Sequence, residues 1–437
     1  MKILLLNAHY WPDLSAATAQ MLTGLGEELA RQGHEVRVIC GRRKYDEPSV
    51  LFPKNEEHNG VQITRIWNSA LGKGAKWKRA IDFATWLAAA ELALLREPKP
   101  DVVVTLTTPP LLSVMGARYA KRVGARLVPW MMDLNPDEAV AAGWLRQGSP
   151  MERFLRKALE RSFEQSAALI ALDRFMANRI AAKGMDRRKI HVVAPWAHDK
   201  EVKPDPEGSK AFRREHGLED SFVVMYSGNH APIHPLKTIV EAARRLFVNV
   251  NVNVNAGSEG DRRWEIGDRG SGKQEVKVNI KFLFVGGGTG WEEIRKIKDR
   301  EKLTNVICLP YQPLNNVGAS LGAADLHVVA MGEAFVGLVH PCKVYNLLSL
   351  GLPWVGLGPK ECHLVDLWKE VGDQVGCEVV SGGDYAALAK LILERQRGPK
   401  VSKEKLQAVG RNYQESVLAP ELARIIVEAA KARRDED

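Results

Sequence analysis

GLVHPCKVYNLLSLGLPWVGLGP, residues Gly337–Pro359, holds a glycine turn, a His-Pro-Cys-Lys step, a short apolar helix pattern and a buried-looking strand in one run. Such a helix followed at once by an apolar strand is half of a β-α-β unit, which builds parallel sheets. Lys343 and Asn346 fall in the first turns of that helix, at i and i+3 on one face. A lysine there is disfavoured by the positive end of the helix dipole. Either it is solvated at the surface, or a bound anion such as a diphosphate offsets the mismatch.

The same rhythm extends along the chain. Ile3–Leu6, Val36–Cys40, Val102–Leu106, Ala125–Trp130, Ala168–Leu172 and Ile190–Ala194 read as buried strands, with helical patterns such as Ala19–Gln32 and Leu111–Val123 between them. Asp199–Asp220 is polar, contains Pro204, Pro206 and Gly208, and reads as a linker. A second series follows, with strands at Val223–Tyr226, Lys281–Val285, Val306–Leu309, Leu326–Ala330 and Pro353–Leu357. The expectation is an α/β protein of two Rossmann-like, doubly wound parallel-sheet domains facing a cleft. Residues 1–198 form the first, 199–220 the linker and 221–402 the second. Residues 403–437 form a helical C-terminal segment that packs back on the first domain. Phe247–Phe282, with strict Val-Asn alternation and a Gly-rich polar middle, reads as a variable insertion, its alternating part a half-buried strand.

Composition narrows the class. The 437 residues are 45% hydrophobic and 26% charged, as in ordinary globular proteins. A formal net charge of +9 suits an anionic partner, or a basic surface with none. Cys40, Cys308, Cys342, Cys362 and Cys377 form no Cys-x-x-Cys pair, which argues against zinc ribbons and disulfide scaffolds and for a cytoplasmic setting. The opening MKILLLN is too short for a signal peptide, and no apolar run is long enough for a membrane helix.

Several chemistries drop out. The first strand-to-helix turn, NAHYWPDLSAAT, has no glycine, so a dinucleotide fingerprint is missing. Gly286–Gly290 fails that spacing at Trp291. No Walker lysine motif, Gly-x-Ser-x-Gly elbow or His-Glu-x-x-His is present. What remains is a set of polar or glycine-bearing turns after the second-domain strands: Ser227-Gly228-Asn229-His230, Gly286-Gly287-Gly288, Pro310-Tyr311-Gln312 and Met331-Gly332-Glu333. In an open α/β sheet such turns share the edge where ligands bind.

These segments resemble the family-4 glycosyltransferases of the GT-B fold, closest to the branch that builds bacterial capsular, exopolysaccharide or O-antigen chains. MKILLLNAHYWPD resembles the family's opening strand and loop, PWMMDLNPDEAVAAGWL its strand-Asp-turn segment, VVMYSGNHAPIHPLKTIVEAARRL the start of its donor domain, and PCKVYNLLSLGLPWVGLGP its donor-binding signature. The resemblance covers nearly the whole chain. It implies a retaining, metal-independent transferase that moves sugar from a UDP- or GDP-sugar, a substrate rather than a cofactor, to a glycan or lipid-linked acceptor. No cofactor, metal ligand set or nucleic-acid partner is implied.

Carried over by position, the resemblance assigns the site. An Arg and a Lys that often grip the diphosphate are replaced by Asn229 and His234; His234 serves as a cation only if its pKa is raised. Of two glutamates in the family pattern, the first falls on Leu338 and the second, which holds the ribose, on Asn346; Glu333 is the candidate stand-in for the first. Backbone N–H groups of Gly337, Leu338 and Val339 would meet the diphosphate, with Lys343 as the cation. Gly228, Gly287, Tyr311 and Gln312 complete the donor side. Asp133, Lys343 and His234 are the catalytic candidates. His9, Asp13 and Thr107 are the acceptor-side candidates, and Tyr10-Trp11 either stack on a sugar or pack. Asp133 either serves the acceptor or caps the helix after it. Lys73, Lys76, Lys78 and Arg79 with Trp77 and Trp86 suit either peripheral docking on an anionic inner membrane face or a solvated helix start. Competing implications are a UDP-sugar 2-epimerase of the same fold and a non-catalytic sugar-nucleotide-binding subunit.

Overall fold

The computed structural model describes residues 1–14, 16–45, 47–72, 76–231, 233–251, 279–372, 377–398 and 401–432. The first sheet is built from β1 (Lys2–Leu6), β2 (Glu35–Gly41), β3 (Asn55–His58), β4 (Val61–Ile66), β5 (Val102–Thr105) and β6 (Arg126–Pro129). Its order is β3-β4-β2-β1-β5-β6. A bridge from Trp130 to Ile170 connects it to a parallel pair, β7 (Leu169–Ala171) and β8 (Ile190–Val192). The second sheet uses β9 (Phe222–Asn229), β10 (Ile280–Gly287), β11 (Val306–Leu309), β12 (Leu326–Ala330), β13 (Trp354–Leu357) and β14 (Glu378–Val380). Its order, β11-β10-β9-β12-β13-β14, is parallel throughout.

Both sheets therefore wind outward in two directions from their first strand. The topological switch point lies between β1 and β5 in one and between β9 and β12 in the other. Continuous apolar strands make this possible, because each face meets a helical layer. Ile3 and Leu5 face one core while Leu4 and Leu6 face another. Val223 and Met225 are likewise separated from Val224 and Tyr226. Each such buried aliphatic side chain contributes about 1.5–3 kcal/mol.

Four features depart from the sequence reading. The Val-Asn alternation does not open a strand: Leu236–Asn251 is one helix, carried through Val248–Asn251 from an amphipathic start. Residues 252–278 lie outside the described residues. The segment 199–220 contains a helix, Pro206–Glu215, with Asp205 accepting the Gly208 N–H and Pro206 at its start. β3 and β4 form an antiparallel hairpin at the sheet edge through Asn59-Gly60, both at positive φ (47° and 78°). That dipeptide is the usual mark of such a turn. β14 also extends the second sheet beyond the strands read from sequence.

The C-terminal region touches both halves. Leu406, in the helix Lys403–Gly410, belongs to the second core. Leu418, Leu422, Ile425 and Ile426, in the helix Glu415–Lys431, belong to the first. The halves also meet directly. Leu134 N–H donates to Leu338 O (2.8 Å), Arg179 Nε to Val336 O (2.6 Å), and Arg174 pairs with Asp366 (2.6 and 3.0 Å). Gly337 sits at φ +70°, where an added Cβ would lie 2.7 Å from the Phe175 carbonyl carbon. Its left-handed turn and this close approach both require glycine. Leu338 then inserts into the first domain's core.

Candidate active site

The second sheet's switch point is lined by the end of β9, the end of β12 and the helix Lys343–Leu350. Gly228 has φ +121°, and an added Cβ there would stand 3.2 Å from Lys343 Nζ. The lysine thus reaches back beneath the β9 turn. Its Nζ lies 3.8 Å from the centre of the Tyr226 ring, yet it is buried without a hydrogen-bond partner among the described residues. Burial pushes its pKa down to about 7. A charged amine held against an aromatic face and lacking an acceptor is poised for an anion.

His230 and His234 complete this pocket. The Nδ1 of His230 is 2.9 Å from Gly228 O, and its buried Nε2 has no partner among the described residues. The Nδ1 of His234 is 2.8 Å from Ala330 O. Burial, then the nearby Lys343 charge, pushes His230 down to about 4 and His234 to about 3. His234 is therefore neutral at physiological pH, which corrects the expectation of a second cation. Its neighbour Lys343 already holds the available positive charge. His230 and Tyr226 were missed as site residues; the signal was their i, i+4 placement around the β9 turn.

The other donor-side candidates divide. Asn229 and Tyr311 are exposed at the sheet edge, and the Tyr311 ring lies 2.9 Å from where a Gly287 Cβ would be. Gln312 is engaged with Pro310 O (3.1 Å) and Asn316 (3.0 Å). Glu333 is exposed in the short turn Glu333–Phe335. Two assignments need correction. Leu338 and Val339 already donate their N–H groups to Phe335 O (2.9 and 3.3 Å), which leaves Gly337 as the candidate of that trio. Asn346 Oδ1 accepts the His198 N–H (2.7 Å), so in this arrangement it ties the helix to the end of the first domain and leaves only its amide NH₂ for a ligand.

Across the cleft, Asp133 and Thr107 share a recess with Leu106, Ser113, Met131 and Asn135. Thr107 Oγ1 is buried without a hydrogen-bond partner among the described residues. Burial, and then the Glu138 charge, hold the Asp133 carboxyl well above the usual carboxylate range. Asp133 is not the cap of the helix Asp137–Ala141, whose N-cap is Pro136 without a side-chain bond. Burial, and then the charge of Asp133, push up the pKa of the Cys342 thiol, next to Lys343. His9 and Asp13 point elsewhere. Asp13 is 6% exposed and accepts the Tyr45 N–H, and the His9 ring meets the edge of Tyr45 at 4.9 Å. Both hold the loop after β1, and neither is among the residues that line the Asp133 recess. Tyr10 is buried, and Trp11 stacks on His58 at 3.7 Å, so the aromatic pair packs.

A further cluster escaped the sequence reading altogether. Asp173, His340 and His363 are far apart in the chain but meet where the two halves join.

Residues 17–196 match the family described as glycosyl transferase 4-like domain. The putative colanic acid biosynthesis glycosyl transferase WcaI of Escherichia coli K12 is 25% identical over 370 residues, covering 80% of this chain and 82% of that protein. The probable glycosyltransferase WbjE of Pseudomonas aeruginosa is 23% identical over 299 residues, covering 68% and 67% respectively. The solved structure of HepE from Anabaena, in complex with UDP-glucose, matches with a TM-score of 0.67 at 15% identity, covering 98% of this chain and 100% of that one. The fold is GT-B, and the chain is a transferase enzyme of the glycosyltransferase class. No helix among the described residues is long and apolar enough to cross a membrane.

Proposed function

We propose that this enzyme transfers a sugar from a nucleotide diphosphate donor to a glycan or lipid-linked acceptor in cell-surface polysaccharide synthesis, as a family-4 enzyme that retains anomeric configuration. The observation that carries this reading is Lys343: a buried amine without an acceptor among the described residues, set under a glycine turn at a switch point. A donor diphosphate would supply the missing anion. Lys343, the Gly337 N–H and the first turn of Lys343–Leu350 would then stabilise charge on the leaving phosphate. Asn229, Asn346 and Glu333 are proposed around the nucleotide. His234 and His230 would serve as neutral hydrogen-bonding walls.

Asp133 and Thr107 are proposed to meet the incoming hydroxyl. A carboxyl with a raised pKa can donate or accept a proton near neutrality. Stabilisation by Lys343 and helix amides asks for no metal at the transfer step, and no cofactor is proposed. UDP-sugars are the first donors to test, given the UDP-glucose complex of HepE; GDP-sugars come next.

A lipid-linked acceptor is favoured by the outer surface of the first domain. Trp77, Ile81, Trp144, Met151 and Phe154 are all exposed there, interspersed with Lys78, Arg79, Arg146 and Arg153. Such a surface suits peripheral contact with anionic lipid on the cytoplasmic side. Trp86 does not contribute, because it is 2% exposed and packed in the core. Lys73 and the side chain of Lys76 lie outside the described residues.

The test offers UDP-, GDP- and ADP-sugars to the purified protein, with and without bacterial lipid extract, and assays free nucleotide diphosphate and the anomeric configuration of the product. Extract-dependent release from one donor, lost in Lys343→Ala, is the expected outcome. Nucleotide binding without release from any donor would sink the transfer reading. Absence of binding would sink the donor-site assignment.

A further inference from the structure

We propose that Asp173, His340 and His363 bind one divalent transition metal of the zinc class between the two domains. The three side chains each place a ligand atom within 4.8 Å of the others. All are buried, at 7%, 8% and 4% exposure. Asp173 lies in the first domain, just before the helix Arg174–Ala181. His340 follows the Gly337 turn, and His363 begins the helix His363–Val371 of the second.

The hydrogen bonds single out which atoms are available. Asp173 Oδ1 is spent on the Met176 N–H (2.7 Å), while Oδ2 faces His340 Nδ1 (2.8 Å). His340 Nε2 lies 2.8 Å from Tyr345 Oη. With Nδ1 on a metal, Nε2–H donates to that hydroxyl, the outer partner that fixes a ligating imidazole. Two ligands about 2.1 Å from one zinc stand roughly 3.4 Å apart, so modest side-chain shifts complete the shell.

His363 is the observation that asks for a ligand. Both of its ring nitrogens are buried without a hydrogen-bond partner among the described residues. Its ring lies 3.9 Å from that of His340. Leaving a buried polar atom unpaired costs about 1–3 kcal/mol. A neutral imidazole offers one ring-nitrogen lone pair to a metal. Two imidazoles and a carboxylate suit zinc, cobalt or nickel better than magnesium or calcium, which prefer oxygen. The helix N-termini at Asp173 and His363 oppose a cation, so the carboxylate is essential. Three protein ligands leave a fourth position for water. Because Asp173 belongs to one domain and both histidines to the other, the ion would staple the domains beside the Gly337 turn. This site is separate from the proposed transfer step, and its test does not depend on that reading.

The full-length protein, stripped with a chelator, is titrated with Co²⁺ and read by its visible ligand-field bands; Zn²⁺ content is measured after dialysis. The expected result is one equivalent bound, with a higher melting temperature for the zinc form. His363→Ala and Asp173→Asn should each weaken binding at least tenfold. Asp173→Asn keeps an amide oxygen for the Met176 cap, so it reads the same loss if His363→Ala fails to fold. A wild-type protein that takes up no stoichiometric Co²⁺, as it would if an ordered water filled the space, overturns the proposal. So does binding that survives both substitutions.

Discussion

The two switch points share a doubly wound arrangement and differ in chemistry. Between β9 and β12 a buried lysine lies against Tyr226 with no acceptor among the described residues. Between β1 and β5 the crevice leads to Thr107 and to a carboxyl, Asp133, held toward its protonated form. A repeated topology thus delivers two crevices, and the side chains at the strand ends decide what each can hold. Under the proposed function, the first would take the donor's anion and the second would meet the acceptor hydroxyl, so that side chains at the strand ends would separate donor from acceptor.

Substitutions on each side should break the comparison in different ways. Lys343→Ala should have the largest effect, lowering kcat/KM about 10²–10³-fold by removing charge stabilisation where the leaving group forms. It should also weaken nucleotide diphosphate binding, measured by calorimetry. Asp133→Asn should lower kcat about 10²-fold while leaving nucleotide affinity unchanged. An equal loss of nucleotide affinity in Asp133→Asn would erase the distinction between the crevices.

The pH dependence sharpens the same contrast. Lys343 titrates at about 7 in the empty pocket, and a bound diphosphate raises that value. Binding then takes up a proton above neutrality. Affinity should be flat below about pH 7 and fall by up to tenfold per unit above it, until the pKa of the bound state is passed. Affinity that does not change up to pH 9 would show that the lysine is not the anion's partner. The smallest effect should come from Gly337→Ala, at the join between the halves. Its positive φ and the Phe175 backbone predict a cost of about 1–3 kcal/mol, seen as a drop of several degrees in melting temperature. Nucleotide affinity should move less than in Lys343→Ala.

How much of this was legible in sequence differs by element. Continuous apolar runs such as Ile3–Leu6 and Val223–Tyr226 marked buried parallel strands, because both faces of those strands meet helices. β3 was harder to see, because Asn55-Glu56-Glu57-His58 is polar; its pairing comes from β4 and the Asn59-Gly60 turn. The Val-Asn run misled because period-2 alternation normally marks a strand, whereas here a helix begun at Leu236 carries through Asn251. Asn346 and His234 were chosen by position, yet position gives no information on competing partners. The His198 N–H takes one, and burial discharges the other.

By itself the sequence determined the two-sheet architecture, the glycine turns and the placement of Lys343 at a helix start, because apolar periodicity and turn chemistry act over a few neighbouring residues. Only the tertiary structure decided which polar groups are left without partners among the described residues, that Asp133 shares a recess with Thr107, and that Asp173 meets His340 and His363. Those outcomes depend on burial and on contacts between segments more than 150 residues apart, as with the His340–Asp173 separation of 167. Local pattern carries no record of such distances.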